Sequence, residues 1–349
     1  MIAAGAVETA AGAAPSPEVF TAASIRNAVG IADLLQPMTR AFIDVSRGLG
    51  EAPISVFAPA GEEGDVHVKS AWLPGRSVFT VKVAAWFAAR ATGGRSGNSG
   101  YLAVHDAATG DLVALLLDEH YLTDIRTAAA GAVATRTLAG PDATVLTVLG
   151  TGTQARLQVL ATRMVRPLDT VIVWGRDRDA ARALRAALED DAPGLAVSVA
   201  EDPERAVRAA DVIVTATGSR RAIVEGSWLR PGQHITAIGS DDLTKAELDP
   251  VCFRRADLIA VDSRAHAPRF AGDLAAAIAE GAISEADIHA EIGELLSARH
   301  VGRENREQIT IAKLIGLGAQ DLVAAETTLD LLRNVSRSAA LPSVPDPAA

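Results

Sequence analysis

The chain has 349 residues, of which 49% are hydrophobic and 22% charged, and its formal net charge at pH 7 is −10. This length allows two domains with separate cores, and the acidic charge argues against a nucleic-acid partner, whose phosphates require a basic face. The single cysteine, Cys252, cannot form an internal disulfide. We interpret it as a packed side chain rather than a reactive thiol, and we expect no metal site.

The two ends of the chain have the composition of flexible tails. Residues 1–17 are rich in Ala and Gly, and residues 336–349 contain three prolines. The first segment lacks the basic and the uninterrupted apolar regions of a signal peptide, and no later stretch approaches the roughly 18 apolar residues of a membrane span. We therefore expect a cytoplasmic protein with no membrane partner.

The first third of the chain predicts helix and then a sheet. Apolar residues at helical spacing predict helix over 17–49. Alternating and β-branched residues predict strands over 66–72, 77–87, 101–106 and 112–118, in an antiparallel or mixed sheet. Lys82 lies among apolar residues of the second strand, so either it is functional or that strand is an edge strand that turns Lys82 to solvent.

An alanine-rich helix is predicted next, over 121–134, with Thr123 or Asp124 as the candidate N-cap. Its small side chains allow close packing. Arg126, near the start of the helix, could bind an anion together with free N–H groups, or it could be a solvated surface arginine.

The stretch 145–155, VLTVLGTGTQA, is the most informative part of the sequence. A short strand runs into a Gly-x-Gly-x-x-Ala turn and then into a helical pattern. The first glycine makes the turn, the second lets the backbone approach a pyrophosphate, and the third position must be small for helix–strand packing. A second buried strand at 171–174 completes the unit. The pattern predicts a dinucleotide-binding turn formed by Gly150, Thr151, Gly152, Thr153, Gln154 and Ala155.

Strands and helices then alternate, with strands predicted over 197–199, 211–217, 234–241 and 258–262. This order predicts an α/β fold with a Rossmann-type, doubly wound parallel sheet. Thr217 and Asp241 follow the carboxyl ends of two of these strands, where ligands bind in open α/β sheets.

A final helix, predicted over about 309–332, is expected to return to the first part of the chain. The predicted division is therefore a discontinuous α+β domain over 18–137 and 310–335 and a Rossmann domain over 138–309. Each of the two would have its own core.

The residues after the strand 171–174 bear on the choice of cofactor. The acidic residue expected there for a ribose 2′-hydroxyl is replaced by Gly175-Arg176-Asp177-Arg178. Arg176 suits a 2′-phosphate, so NADP is slightly favoured, whereas Asp177 could serve NAD. A solvated charged turn is the third interpretation.

Several motifs occur together in a characteristic order. They are Lys82 on its strand, DAATG at 106–110, LTDIRTAAA at 122–130, the Gly150 turn, Gly239-Ser240-Asp241 followed by Lys245 and Leu248, and Gly318-Ala319-Gln320-Asp321. With these motifs the chain resembles, from about residue 17 to residue 332, the ornithine cyclodeaminase and mu-crystallin family.

The resemblance implies a homodimer whose first domain carries substrate binding and dimerisation, with NAD or NADP in the second. Lys82 would contact the substrate near the reacting carbon and nitrogen, Arg126 would hold the substrate α-carboxylate, and Asp241 would be the acid/base residue beside the amine. Thr127 would lie near the cofactor phosphates.

One departure from the family concerns the substrate carboxylate. Many members place an arginine near the position of residues 53–55, and this sequence has none there. Lys69 is the nearest replacement, and the change weakens any assignment of ornithine as the substrate.

The leading functional hypothesis is an NAD(P)-dependent oxidoreductase that interconverts a small amino acid and its imino acid by hydride transfer at the α-carbon. This covers ketimine or imino-acid reductases and amino-acid dehydrogenases. The alternative is an ornithine- or lysine-type cyclodeaminase, in which the hydride leaves and returns within one turnover and ammonia departs. A further alternative is a non-catalytic, crystallin-like protein that binds NADP.

Overall fold

The computed structural model describes residues 16–50, 53–93 and 96–340, without the side chains of Glu62 and of residues 335–340. The predicted tails therefore lie largely outside the described residues, although residues 336–340 continue the last helix rather than forming a tail. No helix in the described ranges is both long and apolar enough to cross a membrane.

The first part of the chain builds a six-stranded mixed sheet with helices on one face. Its elements are β1 (Glu18–Thr21), α1 (Ala22–Ala28), α2 (Ile31–Ser46), β2 (Ile54–Phe57), β3 (Gly64–Ala71), β4 (Val78–Phe87), α3 (Ala88–Thr92), β5 (Asn98–Asp106), β6 (Leu112–Leu117) and α4 (Tyr121–Leu138). The strand order is β1-β6-β5-β4-β3-β2, and every pair is antiparallel except β1 with β6. The predicted sheet is present, and the short strand β1 lies where the sequence predicted helix.

Strand β4 lies inside this sheet, between β3 and β5. In the paired register, Lys82 stands opposite Lys69 on one side and Leu102 on the other. The Lys82 side chain points to the inner face of the sheet, and the residue is only 2% exposed. The edge-strand interpretation of Lys82 is therefore wrong, because both neighbours of β4 are paired and its inner face is covered.

Helix α4 is almost wholly buried, as its alanine-rich sequence allows. Its predicted N-cap is wrong, because Thr123 and Asp124 lie inside the first turn. The residue before the helix is His120, at φ 78°, and the Leu122 N–H donates to the Asp118 side chain at 2.8 Å. A carboxylate from the end of β6 thus satisfies the helix terminus.

The rest of the chain builds an eight-stranded, all-parallel sheet. Its elements are β7 (Val145–Leu149), α5 (Thr153–Arg163), β8 (Thr170–Trp174), α6 (Arg178–Asp191), β9 (Ala196–Val199), α7 (Pro203–Ala209), β10 (Val212–Thr215), β11 (Arg220–Val224), β12 (His234–Ala237), β13 (Ala246–Leu248), α8 (Pro250–Arg255), β14 (Leu258–Val261), α9 (Ala267–Phe270), α10 (Gly272–Ala279), β15 (Ala290–Glu291), α11 (Ile292–Leu296), β16 (Thr310–Lys313) and α12 (Gly318–Ala340). The strand order is β15-β14-β16-β12-β10-β7-β8-β9, and β11 pairs with β13 in a separate small ribbon.

The predicted start of the final helix is wrong. Residues 310–313 form β16, which pairs with β12 and β14 in the middle of the parallel sheet. All four residues of β16 are buried, and a β-branched pair such as Thr310-Ile311 suits such a strand. Helix α12 then packs on α2, α4 and the first sheet. The boundary predicted at residue 310 therefore falls at the start of β16, before the β16–α12 connection.

Candidate functional site

The glycine turn lies between β7 and α5, as predicted. Gly150 has φ +132°, and a Cβ there would lie 2.4 Å from the carbonyl oxygen of Ala216, so only glycine fits. At Gly152 a Cβ would meet no heavy atom within 4 Å, and the start of α5 has no side-chain cap. The first-turn N–H groups of α5 are therefore open to an anion. These residues fit the pyrophosphate of a nicotinamide dinucleotide.

A cleft of about 960 Å³ opens beside this turn, between the inner face of the first sheet and the carboxyl ends of β10 and β12. The predicted site residues that line it are Lys69, Lys82, Arg126, Thr127, Gln154, Thr217 and Asp241. The other predicted residues do not line it: Gly150, Thr151, Gly152, Thr153 and Ala155 form the turn, and Arg176 and Asp177 follow the end of β8.

Three cations stand together on one wall of the cleft, and we call Lys69, Lys82 and Arg126 the cation wall. The Lys82 Nζ lies 2.7 Å from Asp321 Oδ2, and the Arg126 Nε donates to Asp321 Oδ1 at 2.8 Å. Arg126 is only 4% exposed, so it is not a solvated surface arginine. The two cations share one buried carboxylate.

Two backbone carbonyl groups and the side-chain amide of Gln320 accept hydrogen bonds from the cation wall. The Lys69 Nζ donates to the carbonyl oxygens of Ile315 at 3.2 Å and Gly316 at 2.7 Å, and Arg126 Nη1 donates to Gln320 Oε1 at 3.1 Å. Lys69 is also the register partner of Ile54, which places it beside the segment where the family arginine is missing.

Burial changes the proton affinity of both lysines. Burial, against the opposing charge of Asp321 and with the help of Arg126 and Lys69, lowers the pKa of Lys82 to about 7. Burial, followed by the charge of Arg126, also lowers the pKa of Lys69. Burial alone would raise the pKa of Asp321, but the three cations outweigh it and hold that pKa below its usual value. Lys82 can therefore exchange a proton near neutral pH, while Asp321 stays ionised.

The scarcity of lysine in the sequence is a further indication that the lysines of the cation wall are unusual. The chain contains 29 arginines but only four lysines, Lys69, Lys82, Lys245 and Lys313. Two of them stand on the cation wall, Lys245 lines the cleft, and Lys313 is fully buried with Asp273 at 3.3 Å. Arginine cannot release its proton in proteins, so a lysine in a chain this rich in arginine is a candidate for a site that needs a titratable cation.

Asp241 lies in the loop after β12, as predicted, and lines the same cleft as the cation wall. Its Oδ1 is 2.7 Å from Lys245 Nζ, which also lies 3.0 Å from Asp242 Oδ2. Burial would raise the pKa of Asp241, but Lys245, His67 and Lys69 outweigh it and hold that pKa at about 2. Asp241 is therefore a carboxylate at neutral pH.

Glu247 on β13 ties the ends of β10 and β12 together, and no local pattern around it in the sequence predicts this role. Its fully buried carboxylate accepts hydrogen bonds from Thr215 Oγ1 at 2.7 Å, Thr217 N at 2.6 Å, Thr217 Oγ1 at 2.8 Å and Gly239 N at 2.8 Å. Burial raises the pKa of Glu247. The Thr217 hydroxyl is thus occupied, so a cofactor contact by Thr217 would use its other atoms.

Two predicted cofactor residues lie where α4 meets α5. The Gln154 Nε2 donates to the Asp124 carbonyl oxygen at 3.1 Å and to Asp124 Oδ1 at 3.2 Å. The carbonyl oxygen of Thr127 accepts from Gln158 Nε2 at 3.0 Å, and Thr127 lines the cleft. This contact joins the glycine-turn helix to the helix that carries Arg126.

The two residues that could recognise the cofactor ribose, Arg176 and Asp177, have different surroundings in the turn after β8. Arg176 is exposed and makes no hydrogen bond or ion pair with the described part of the chain. The Asp177 carboxylate caps α6, accepting from Asp179 N at 2.9 Å and Ala180 N at 3.0 Å. Within the described ranges, no group of three or more His, Cys, Asp or Glu residues is placed to hold a metal ion.

Fold and site together define a dinucleotide-binding protein with a Rossmann-type sheet and a buried cation wall. The chain belongs to the ornithine cyclodeaminase/mu-crystallin family, whose model matches residues 16–335. The predicted family and fold class are therefore confirmed.

Three relatives show what kinds of protein this chain is similar to. An uncharacterised cyclodeaminase of Sinorhizobium fredii is 38% identical over 328 residues, which is 93% of this chain and 98% of that protein. The structure of Thermococcus litoralis Δ1-pyrroline-2-carboxylate reductase with NADH and L-proline has a TM-score of 0.87 at 26% identity and covers 91% of this chain and 98% of its own. An archaeal alanine dehydrogenase dimer with bound NAD has a TM-score of 0.85 at 29% identity, with 92% and 97% covered. The prediction of an enzyme is confirmed.

Proposed function

We propose that this protein is an NAD(P)-dependent oxidoreductase that interconverts a small imino acid and the corresponding amino acid. The observation that carries the proposal is the placement of the cation wall and the anionic Asp241 in one cleft, beside the glycine turn. A molecule with a carboxylate next to a C=N or C–NH₂ group has the complementary charges. The cations suit its carboxylate and Asp241 suits its nitrogen.

Each residue has a definite task in this proposal. Bound along the Gly150 turn and near Thr127, the nicotinamide cofactor supplies hydride chemistry at the α-carbon. Arg126 and Lys82 hold the α-carboxylate and so orient that carbon. The Asp241 carboxylate stabilises positive charge on a protonated imine nitrogen. Lys82, with a pKa of about 7, gives or takes the proton at that nitrogen.

Lys69 favours this reaction over the cyclodeaminase alternative. A cyclodeaminase must accommodate a second, ω-ammonium group of ornithine or lysine. Lys69 and Lys82 stand side by side on the same buried strand pair, and Arg126 adds a third cation, so an ammonium near this wall is repelled. The cyclodeaminase alternative retains the support of the relative in Sinorhizobium fredii.

A substrate screen tests the proposal. Purified protein is mixed with NADPH or NADH and with cyclic imino acids, or with 2-oxo acids plus amines, and the loss of cofactor absorbance is followed. A parallel series with ornithine and lysine measures ammonia. We expect cofactor oxidation without ammonia release. Ammonia release without net cofactor change would establish the cyclodeaminase alternative. The absence of any reaction in both series would support the non-catalytic, crystallin-like alternative.

We also propose that NADP is the preferred cofactor. The free Arg176 side chain supports this preference, because Asp177 is already occupied as the cap of α6. Arg176→Ala should weaken NADPH binding about tenfold and leave NADH binding unchanged. Arg178→Ala is the matched control, because Arg178 pairs with Glu201 instead. Equal affinity of the Arg176 variant and the wild type for NADPH would contradict the preference.

A homodimer is our proposal for the assembly, on the outer face of the first sheet. The apolar outward residues in register include Val19, Phe57, Val66, Val68, Val81, Val83, Tyr101, Ala103, Leu115 and Leu117, and the same face carries Thr21, Ser55, Ser70, Ser99 and His105. None of them is an Asp, Glu, Lys or Arg, and Val19 is 57% exposed, Phe57 51% and Leu117 40%. Such a face suits a second copy of the chain.

Light scattering tests this interface. Tyr101→Glu places a charge at the middle of the face and should give monomers at concentrations where the wild type is dimeric. Met164→Glu is the control, because Met164 is 51% exposed at the end of α5, outside that face. A dimeric Tyr101 variant would place the interface elsewhere.

The cytoplasm is the proposed compartment. Cys252 is free and buried, as expected of a packed side chain, and burial raises the pKa of its thiol. The thiol is therefore unreactive and suited to a reducing environment. Cell fractionation tests the assignment.

A further inference from the structure

Asp321 is the residue through which the cation wall is assembled. It belongs to the first turn of α12, whereas Lys82 belongs to β4 and Arg126 to α4. Its two oxygens are divided between them, Oδ2 at 2.7 Å from Lys82 Nζ and Oδ1 at 2.8 Å from Arg126 Nε. In the described part of the chain, no second carboxylate lies within 4.0 Å of these groups.

The segment that leads to Asp321 is itself held by the parallel sheet. The backbone N–H groups of Ile315 and Gly316 donate to Asp262 Oδ2 at 2.9 and 2.8 Å, directly after β14. Gly316 has φ +76°, and a Cβ there would lie 2.8 Å from Arg126 Nη1. The β16–α12 connection therefore links the eight-stranded parallel sheet to Lys82 and Arg126 of the cation wall.

The charges in this pocket leave room for one anion. Lys82 and Arg126 carry two positive charges when both are protonated, and Asp321 supplies one negative charge. All three are buried, where an uncompensated charge is costly. One substrate carboxylate would balance these three groups, with Lys69 as the remaining cation of the wall. Without Asp321, the Lys82 ammonium and the Arg126 guanidinium would have no carboxylate in direct contact among the described residues.

We infer that Asp321 is the positioning residue of the cation wall, holding the Lys82 ammonium and the Arg126 guanidinium in place and favouring the charged form of Lys82 while the carboxylate site is empty. The inference rests on the proposed function for its catalytic meaning. Its structural part, the dependence of Lys82 on Asp321, stands without any assumption about the substrate.

The charged groups around Lys82 determine in which direction its pKa should change when Asp321 is replaced. Asp321 faces it from α12, Arg126 from α4, Lys69 from β3, and Asp118 acts on it from the end of β6. Asp321 is the anion in direct contact. Asp321→Asn keeps the shape of the side chain and removes its charge, so two cations and the burial of Lys82 then favour the neutral amine.

The small number of lysines makes this measurable without an activity assay. Protein labelled with ¹³C at the lysine Cε atoms has four lysines to resolve, and Lys82→Met assigns the signal of interest. In Asp321→Asn the Lys82 titration midpoint should fall by about one pH unit or more, while the Lys245 midpoint stays unchanged. Glu326→Gln, on the same helix and paired with Arg76 at 2.6 Å, should move neither.

The activity profile is the second readout. In Asp321→Asn, the pH at which kcat/KM declines on the alkaline side should move down with the Lys82 midpoint, so that activity is lost more at pH 8 than at pH 6. A Lys82 midpoint within about 0.3 pH units of the wild type overturns the inference. If the wild type turns over no imino acid, the proposed function fails, yet the titration still decides the role of Asp321.

A second variant covers the case in which Asp321→Asn does not fold. Asp321→Glu keeps the charge but moves the carboxylate by one methylene, so kcat/KM should fall at all pH values while the Lys82 midpoint stays within about half a unit of the wild type. A midpoint lowered by about one unit or more in this variant would contradict the expectation that a carboxylate at residue 321 is enough to set the Lys82 midpoint.

Discussion

Glu247 gives the sharpest test of how the site is held together. Its carboxylate accepts four hydrogen bonds, two of them from the backbone N–H groups of Thr217 and Gly239. In Glu247→Gln one oxygen becomes an NH₂ group that donates. The threonine hydroxyls can rotate to accept from it, but a backbone N–H cannot. Whichever way the amide turns, one of the two backbone donors loses its acceptor.

The expected loss of stability in Glu247→Gln follows from the number of hydrogen bonds that are broken. One buried N–H without a partner costs about 1–3 kcal/mol, and the remaining bonds weaken because they lose the charged acceptor. We therefore expect Glu247→Gln to lower the free energy of unfolding by about 2 kcal/mol or more. Thr217 and Gly239 follow the ends of β10 and β12 and line the cleft. NADPH binding should therefore weaken as well.

Urea unfolding at pH 8 measures the loss, and a fluorescence titration measures NADPH affinity. The control is Glu204→Gln, since Glu204 makes an exposed helical pair with Arg208 at 2.7 Å and should change stability by less than about 0.5 kcal/mol. If Glu247→Gln is no less stable than this control, then Glu247 does not hold the two strand ends, and our account of the loops is refuted.

Three further outcomes are expected. Lys82→Arg keeps the positive charge but cannot release a proton near neutral pH, so kcat should fall about 100-fold or more; turnover within tenfold of the wild type would exclude proton transfer by Lys82. Gly150→Ala places a Cβ 2.4 Å from the Ala216 oxygen and should weaken NADPH binding about tenfold or more, whereas unchanged affinity in calorimetry would mean that the turn relaxes freely. Burial, with Arg303 and Arg166, holds the pKa of His234 well below 6.5, so its contribution to stability is complete above that pH and declines as the pH falls. The unfolding free energy should drop between pH 6.5 and 5 with a slope up to about 1.4 kcal/mol per pH unit, and His234→Gln should flatten that slope.

The buried His234 illustrates why such a slope is expected. Its Nδ1 lies 2.9 Å from Thr310 Oγ1 and its Nε2 lies 2.9 Å from Thr236 Oγ1. The neutral ring can donate to one hydroxyl and accept from the other. A proton added to the ring would place a charge in a site that is 0% exposed, so acid must favour the unfolded chain.

The sequence by itself determined those parts of the protein that depend on neighbouring residues. Gly150 to Ala155 specify a turn because glycine alone adopts the required backbone conformation there. Hydrophobic period and β-branched runs placed six of the eight strands of the parallel sheet, all but β15 and β16. The order of the motifs around Lys82, Arg126 and Asp241 was enough to indicate the family, and the structure brings those three residues to one cleft.

Only the tertiary structure decided which partners these residues have. Arg126 and Asp321 are 195 positions apart in the chain, and nothing local in the last motif shows that its aspartate meets two cations. Residues 310–313 resembled the start of a helix because four residues are too few to show a period, and pairing with β12 and β14 makes them a strand. The proton affinity of Lys82 likewise depends on burial and on charges from four separate elements. Burial and charge pairing between distant segments are properties of the folded chain, so the sequence could name the candidate site residues but not their protonation or their partners.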